Sequence, residues 1–146
     1  MATTDFIWAR VDGHGALVKT ALNTDTTDMT IGQCVKLDAT NVLSGTPYLT
    51  APGVLIAGAA VFPYGVVVTK AAHQAAAPYI AVRVQFGGEI QVNASAAITA
   101  GNILATAASG KVATQTSGQP QVGQALTAAA GSTDLVQAAL HFANNA

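Results

Sequence analysis

Short runs of alternating apolar and polar residues recur through the second half of the chain. They lie at residues 82–86, 89–92 and 134–142, and glycine-bearing turns separate them. Alternation with a period of two is typical of strands that bury one face. Turns that recur roughly every eight to twelve residues predict a small β-barrel or β-sandwich.

Alanine-rich stretches could indicate helices, because alanine has the highest helix propensity. Glycine, proline or β-branched residues nevertheless interrupt every longer window with a helical period. The run from Ala71 to Ala77, which ends at Pro78, is the best candidate for a helical turn. We therefore predict an all-β fold with at most one short helix.

Two apolar segments in the middle of the chain predict buried structure. Residues 64–69 read as a buried strand, and residues 53–62 as a buried strand or turn. The second segment is too short for a helix that crosses a bilayer, which needs about 20 apolar residues. The first residues also lack a basic region followed by a long apolar core, so we expect neither a membrane span nor a secretory signal.

The N-terminal part of the chain differs from the rest in composition. Residues 1–30 hold four of the seven acidic residues and a polar run at 23–28, which predicts an N-terminal arm or loop-rich segment. A chain of 146 residues has the size of one domain, so residues 31–146 are predicted to form a single β domain.

Charged side chains are scarce. They make up 9% of the chain, which carries a net charge of −1, against about 25% in typical proteins. From Val84 to the last residue, only Glu89, Lys111 and Asp134 are charged. Weak repulsion between copies favours association, so we expect an oligomer or a component of a larger assembly. The basic residues are scattered and form no cluster, which argues against a nucleic-acid partner.

The sequence offers little for catalysis or metal binding. Cys34 has no partner cysteine and is expected to be a small buried residue. Residues 23–28 are similar to the start of a calcium loop, but Asp28 stands where that loop needs glycine and Cys34 where it needs glutamate. No nucleophile elbow, phosphate-binding loop or dinucleotide motif is present. The histidines are far apart, without metal-ligand spacing: His14, His73 and His141. We expect no enzyme activity, no metal or other cofactor and no small-molecule substrate.

Several short motifs follow one another between residues 63 and 140. They are Pro63-Tyr64-Gly65-Val66-Val67, Val84-Gln85-Phe86-Gly87-Gly88-Glu89-Ile90-Gln91-Val92, Ala97-Ile98-Thr99-Ala100-Gly101-Asn102, Ser109-Gly110-Lys111-Val112, Val122-Gly123-Gln124-Ala125-Leu126 and Leu135-Val136-Gln137-Ala138-Ala139-Leu140. Their order resembles that of the head decoration, or capsid cement, proteins of tailed bacteriophages over residues 31 to 142 or so. Residues 1–30 do not match that family.

The resemblance implies a small barrel-like fold of the β-tulip type, usually a homotrimer. Such a protein is made in the host cytoplasm and sits in the virion on the outer surface of the phage capsid. There it binds the major capsid protein and stabilises contacts between neighbouring subunits. A trimer that spans several subunits adds many weak contacts at a high effective concentration, which suits this role.

One apolar cluster near the start is the candidate contact site. Phe6, Ile7 and Trp8 stand together, and Trp8 is the only tryptophan; tryptophan is enriched among interface hot spots. We predict that residues 1 to 15 or so form an arm that binds the capsid or a neighbouring protomer, for instance by adding a strand to a sheet edge. The alternative is that these three residues belong to the first strand of the domain's own core.

A carbohydrate- or surface-binding β module of a phage tail or fibre is the alternative function, since it would also be all-β, oligomeric and poor in charge. Such modules stack sugars on exposed aromatic rings, and we expect Tyr64 and Tyr79 to be buried beside their apolar neighbours. The available rings are Trp8, Tyr48, Tyr64 and Tyr79. A subunit that itself forms the shell is disfavoured, because the chain is short for that task.

Overall fold

A computed structural model describes residues 17–41, 51–76 and 78–144 of the chain. These ranges contain nine strands and one turn of 3-10 helix at Ala108–Gly110. The strands are β1 (Leu17–Asn23), β2 (Cys34–Leu37), β3 (Gly53–Ile56), β4 (Gly65–Val67), β5 (Ile80–Asn93), β6 (Ile103–Thr106), β7 (Val112–Thr114), β8 (Gln121–Ala125) and β9 (Leu135–Ala143). The predicted all-β, barrel-like fold is confirmed. Within the described ranges, no helix is long and apolar enough to cross a membrane.

Five strands form a closed barrel in the order β1-β3-β2-β4-β5, because β5 also pairs with β1. Ala21 pairs with Val82 across the closing β1–β5 contact, and both are fully buried. β-branched valines suit such positions because their side chains pack well on a pleated surface. The buried residues of the barrel core are Ala21, Met29, Val35, Val54, Val67, Ala71, Val82 and Val84.

A second sheet shares β5 with the barrel and continues in the order β5-β9-β8-β6-β7. Its last strand returns toward β5, since Val112 of β7 forms a parallel bridge with Ala94, the residue after β5. The curled sheet encloses a separate core of small and medium apolar residues. Most of its members come from this sheet, and three come from the barrel side: Cys34, Ala57 and Val66.

β5 serves both parts because it is 14 residues long. Its first half pairs with β1 and β4, and from Gly88 onward it pairs with β9. Gly88 has a φ of +77°, which a residue with a side chain rarely adopts. The buried Gln85 amide donates hydrogen bonds to the carbonyls of Gly87 (2.8 Å) and Glu89 (2.9 Å) and so holds the chain at this point.

Two local expectations are corrected. The helical turn predicted from Ala71 to Ala77 is wrong over residues 71–76, which contain no helix. Ala71 instead exchanges backbone hydrogen bonds with Met29, and its side chain fills the barrel core. The loop-rich segment predicted for residues 1–30 contains β1, a full strand of the barrel. Burial in the barrel overrides the weak local preference of both segments.

Cys34 is fully buried, as expected, and lies at the contact between the barrel and the second core. Burial in apolar surroundings raises the pKa of its thiol to about 12, because a thiolate would be poorly solvated there. Cys34 is therefore a packing residue that joins the two parts of the molecule.

Candidate functional site

A mostly apolar groove opens where β2 ends and β4 begins. Its volume is about 260 Å³, and it is lined by Lys36, Leu37, Val61, Phe62, Pro63 and Tyr64. Leu37 and Phe62 are exposed by 47% and 48%, although both are large apolar side chains. An exposed apolar pair beside a concave surface is typical of a contact site.

The groove keeps its shape through the segment that precedes β4. Thr106 of the second sheet receives a hydrogen bond at Oγ1 from the Val61 N–H (2.8 Å), and its hydroxyl donates to the Val61 carbonyl (2.9 Å). At the other end, the Tyr64 N–H donates to the Val35 carbonyl (2.7 Å). Partial burial of Tyr64 raises the pKa of its hydroxyl. Phe62 is thus presented from a segment that is anchored to both parts of the molecule.

The outer face of the second sheet is a second candidate surface. Residues opposite each other in an antiparallel pair share a face, so Gln91 lies beside Gln137, and Ala139 lies between Glu89 and Gln124. We call these five residues the glutamine face. Glu89, Gln91 and Gln124 are exposed, whereas the alternate residues of β5 point to the core. The face is therefore polar, with one charge.

The two charged residues after Glu89 take part in turns of the second sheet. The Lys111 Nζ donates to the Ser132 carbonyl (3.1 Å). The Asp134 Oδ2 accepts hydrogen bonds from the N–H groups of Ala130 (2.6 Å) and Gly131 (3.2 Å). Asp134 therefore stabilises its own loop, and Lys111 links the turn before β7 to the loop between β8 and β9.

Two acidic residues of the predicted loop region, Asp25 and Asp28, accept hydrogen bonds from distant segments of the chain. Asp25 accepts from the Ile56 N–H (2.7 Å), and Asp28 accepts from the His73 N–H (2.7 Å). The fully buried Asn23 donates to the carbonyls of Thr27, Ala71 and Ala72 at 3.1–3.2 Å. Among the described residues, no three or more His, Cys, Asp or Glu side chains form a group that could hold a metal ion.

Asp38, just after β2, accepts four hydrogen bonds. It accepts from the side chains of Thr24 (2.6 Å), Asn41 (2.8 Å) and Thr40 (2.7 Å) and from the Thr40 N–H (3.0 Å). Burial acts to raise the pKa of Asp38, but these hydrogen bonds outweigh it and hold the pKa well below its usual value. Asp38 fixes the turn beside the groove.

The contact residues predicted from the sequence are not among the residues that the structure describes. Phe6, Ile7 and Trp8 fall outside the described residues, as does Tyr48. Tyr64 is half-buried as a wall of the groove, and Tyr79 is also half-buried. Leu37 and Phe62 were not predicted from the sequence as contact residues. The available signal was their position, since Leu37 stands between Lys36 and Asp38 and Phe62 precedes a proline, where strand pairing stops.

Comparison with known proteins found a solved structure with a similar fold. No family model matches the chain, and no curated protein matches it significantly. Among solved structures, the fold is similar to the crystal structure of the head fibre gp8.5 N base of bacteriophage phi29, with a TM-score of 0.61 and 17% sequence identity. The match covers 86% of this chain and 94% of that chain. At this identity, the similarity shows a shared fold.

Proposed function

We propose that this chain is a structural protein of a bacteriophage head. The observation that carries the proposal is the fold, which matches the head fibre base of a phage over 86% of this chain and 94% of that one. The order of motifs that resembles head decoration proteins supports it from the sequence. We further propose that the chain lies on the outer surface of the virion and catalyses no reaction.

The specific role that we propose is that of a capsid cement protein. It binds the major capsid protein and stabilises contacts between subunits, as a homotrimer, without metal, nucleic acid or small-molecule substrate. The glutamine face suits such docking. Uncharged amides carry a small desolvation cost compared with ions and form hydrogen bonds with a partner's backbone or side chains.

Docking on the glutamine face is tested with purified protein and expanded, undecorated phage heads. We expect a trimer by light scattering and saturable cosedimentation with heads. Gln91→Arg with Gln124→Arg places two large positive charges in the interface, where Glu89 can neutralise only one of them, and is expected to weaken binding at least tenfold. Thr20→Arg, on an exposed position of barrel strand β1, is the matched control and should bind normally. Failure of the protein to cosediment with phage heads would contradict the cement role.

A surface-binding role in a phage tail or fibre is the second candidate, and one observation favours it. The exposed Phe62 ring stands in the same groove as the half-buried Tyr64, an arrangement that allows an aromatic ring to stack on a sugar. Saturable binding on a glycan array that is lost in Phe62→Ala, together with failure to bind heads, would establish this role in place of the cement role.

A further inference from the structure

The groove at the end of β2 leaves apolar surface in contact with water. Leu37 and Phe62 are the two of its lining residues that are exposed. Other large apolar residues are also exposed in the described chain, but these two lie together in one concave site. Covering these two side chains would stabilise the protein, because burial of apolar surface is favourable by roughly 25 cal/mol per Å².

The first 16 residues of the chain lie outside the described part, which begins at Leu17 next to β5. Leu17 pairs with Gly87 on one side of β5, while Val66 of β4 pairs with Gln85 on the other side. Continuing that antiparallel register places Tyr64 opposite Gly87. The start of β1 and the wall of the groove are therefore two strand spacings apart, about 10 Å.

The residues upstream of Leu17 include a segment whose chemistry matches the groove. In an extended chain Phe6 and Trp8 point to the same side, and Asp5 precedes them. Leu37 and Phe62 offer apolar surface, and Lys36 at the groove offers a positive charge. The stretch from Trp8 to Leu17 reaches about 30 Å when extended, which exceeds the distance to be covered.

We propose that, in the free protein, Phe6 and Trp8 occupy the groove of their own protomer, with Asp5 beside Lys36. Tethering at Leu17 makes docking an intramolecular step with a high effective concentration, so modest contacts suffice. Residues 42–50, which join Asn41 to Ala51 near the same end of β2, are the competing occupant. The proposal concerns the free protein and does not depend on the proposed function.

Trp8 is the only tryptophan of the chain, so its fluorescence reports on the segment directly. We expect blue-shifted emission and weak quenching by acrylamide in the unaltered protein. Phe62→Ser should shift the emission to the red and strengthen quenching several-fold. Leu126→Ser, at another exposed leucine just after β8, is the matched control and should leave Trp8 protected. Circular dichroism on each variant verifies that the barrel is folded.

A charge exchange provides an independent test. Asp5→Lys and Lys36→Glu should each weaken the protection of Trp8, and the double variant should restore it, since the pair is re-formed with its signs reversed. Protection should also be independent of protein concentration. Equal quenching in the unaltered protein and in Phe62→Ser would overturn the proposal. That result is expected if residues 42–50 occupy the groove instead. Loss of protection on dilution would overturn it too, because the segment would then belong to another copy.

Discussion

Gly110 packs against the backbone of Cys34 where the second sheet meets the barrel. A Cβ atom on Gly110 would lie 2.9 Å from the Cys34 carbonyl oxygen and 3.1 Å from Ile56 Cγ2. The Gly110 N–H also donates to the Ala57 carbonyl (2.8 Å). With a φ of +72°, the position excludes a side chain on two grounds, which explains glycine in the motif Gly110-Lys111-Val112.

Gly110→Ala is therefore expected to lower the free energy of unfolding by about 3 kcal/mol, from backbone strain together with the contact at Cys34. Gly118 is the matched control. It has a φ of +84° but would meet nothing within 4 Å, so Gly118→Ala should cost only about 1 kcal/mol. Urea denaturation of both variants measures the difference, and equal losses would show that close packing at Gly110 contributes nothing.

At Gly123, the backbones of β8 and β9 lie close together in the second sheet. A Cβ atom there would overlap the carbonyl oxygen of Ala139. Gly123→Ala should thus destabilise the protein by about 3 kcal/mol, because the two backbones must move apart. Gly131→Ala, in a turn with open space around it, should change stability by less than about 0.5 kcal/mol. Thermal melting of the two variants side by side checks the contrast.

Asn23→Asp replaces an amide donor with a carboxylate that faces the carbonyls of Thr27, Ala71 and Ala72. We expect a loss of about 3 kcal/mol at pH 7, since the buried carboxylate would face three carbonyl oxygens and keep only the Asp25 N–H as a hydrogen-bond donor. The folded state raises the pKa of this carboxyl, so the loss should shrink as pH falls through that raised pKa and should be gone below the unfolded pKa of about 4, where the group is protonated in both states. Asn102→Asp, at a partly exposed position, is the control and should show a small effect. A loss in Asn23→Asp that does not change with pH would contradict the prediction.

We expect the protein to lose stability in acid because of Asp38. Its folded-state pKa is lowered by hydrogen bonds from Thr24, Thr40 and Asn41, which outweigh its burial. A lowered pKa stabilises the fold above the unfolded pKa of about 4, and this contribution disappears as pH falls below that value. Asp38→Asn should cost about 2 kcal/mol at pH 7 and progressively less toward pH 2. Glu89→Gln, on the exposed glutamine face, should show no such trend in urea titrations at the same pH values.

Cys34 should be unreactive in the folded protein, because its thiol is buried and its pKa is raised to about 12. Iodoacetamide at pH 8 is expected to leave the native protein unlabelled and to label the urea-unfolded protein fully, as read by mass spectrometry. Rapid labelling of the native state would mean that the barrel and the second sheet separate on the timescale of the reaction.

Much of the second sheet was predictable from the sequence. The alternation in residues 89–92 and 134–142 matches the inner and outer faces of β5 and β9, and the turn glycines Gly101 and Gly110 have the positive φ values that motivate glycine. The candidate groove was not predictable. Leu37 and Phe62 are far apart in sequence, and their exposure depends on how β2 and the segment before β4 meet.

By itself, the sequence determined the all-β class, the small-residue cores and the buried Cys34, because burial of one strand face imposes a period-two pattern that is local. Only the tertiary structure decided that β1 and β5 close a barrel and that Ala71 joins its core. Pairing between distant strands sets both features, and alanine, which is compatible with helix and strand alike, takes the conformation that buries it best.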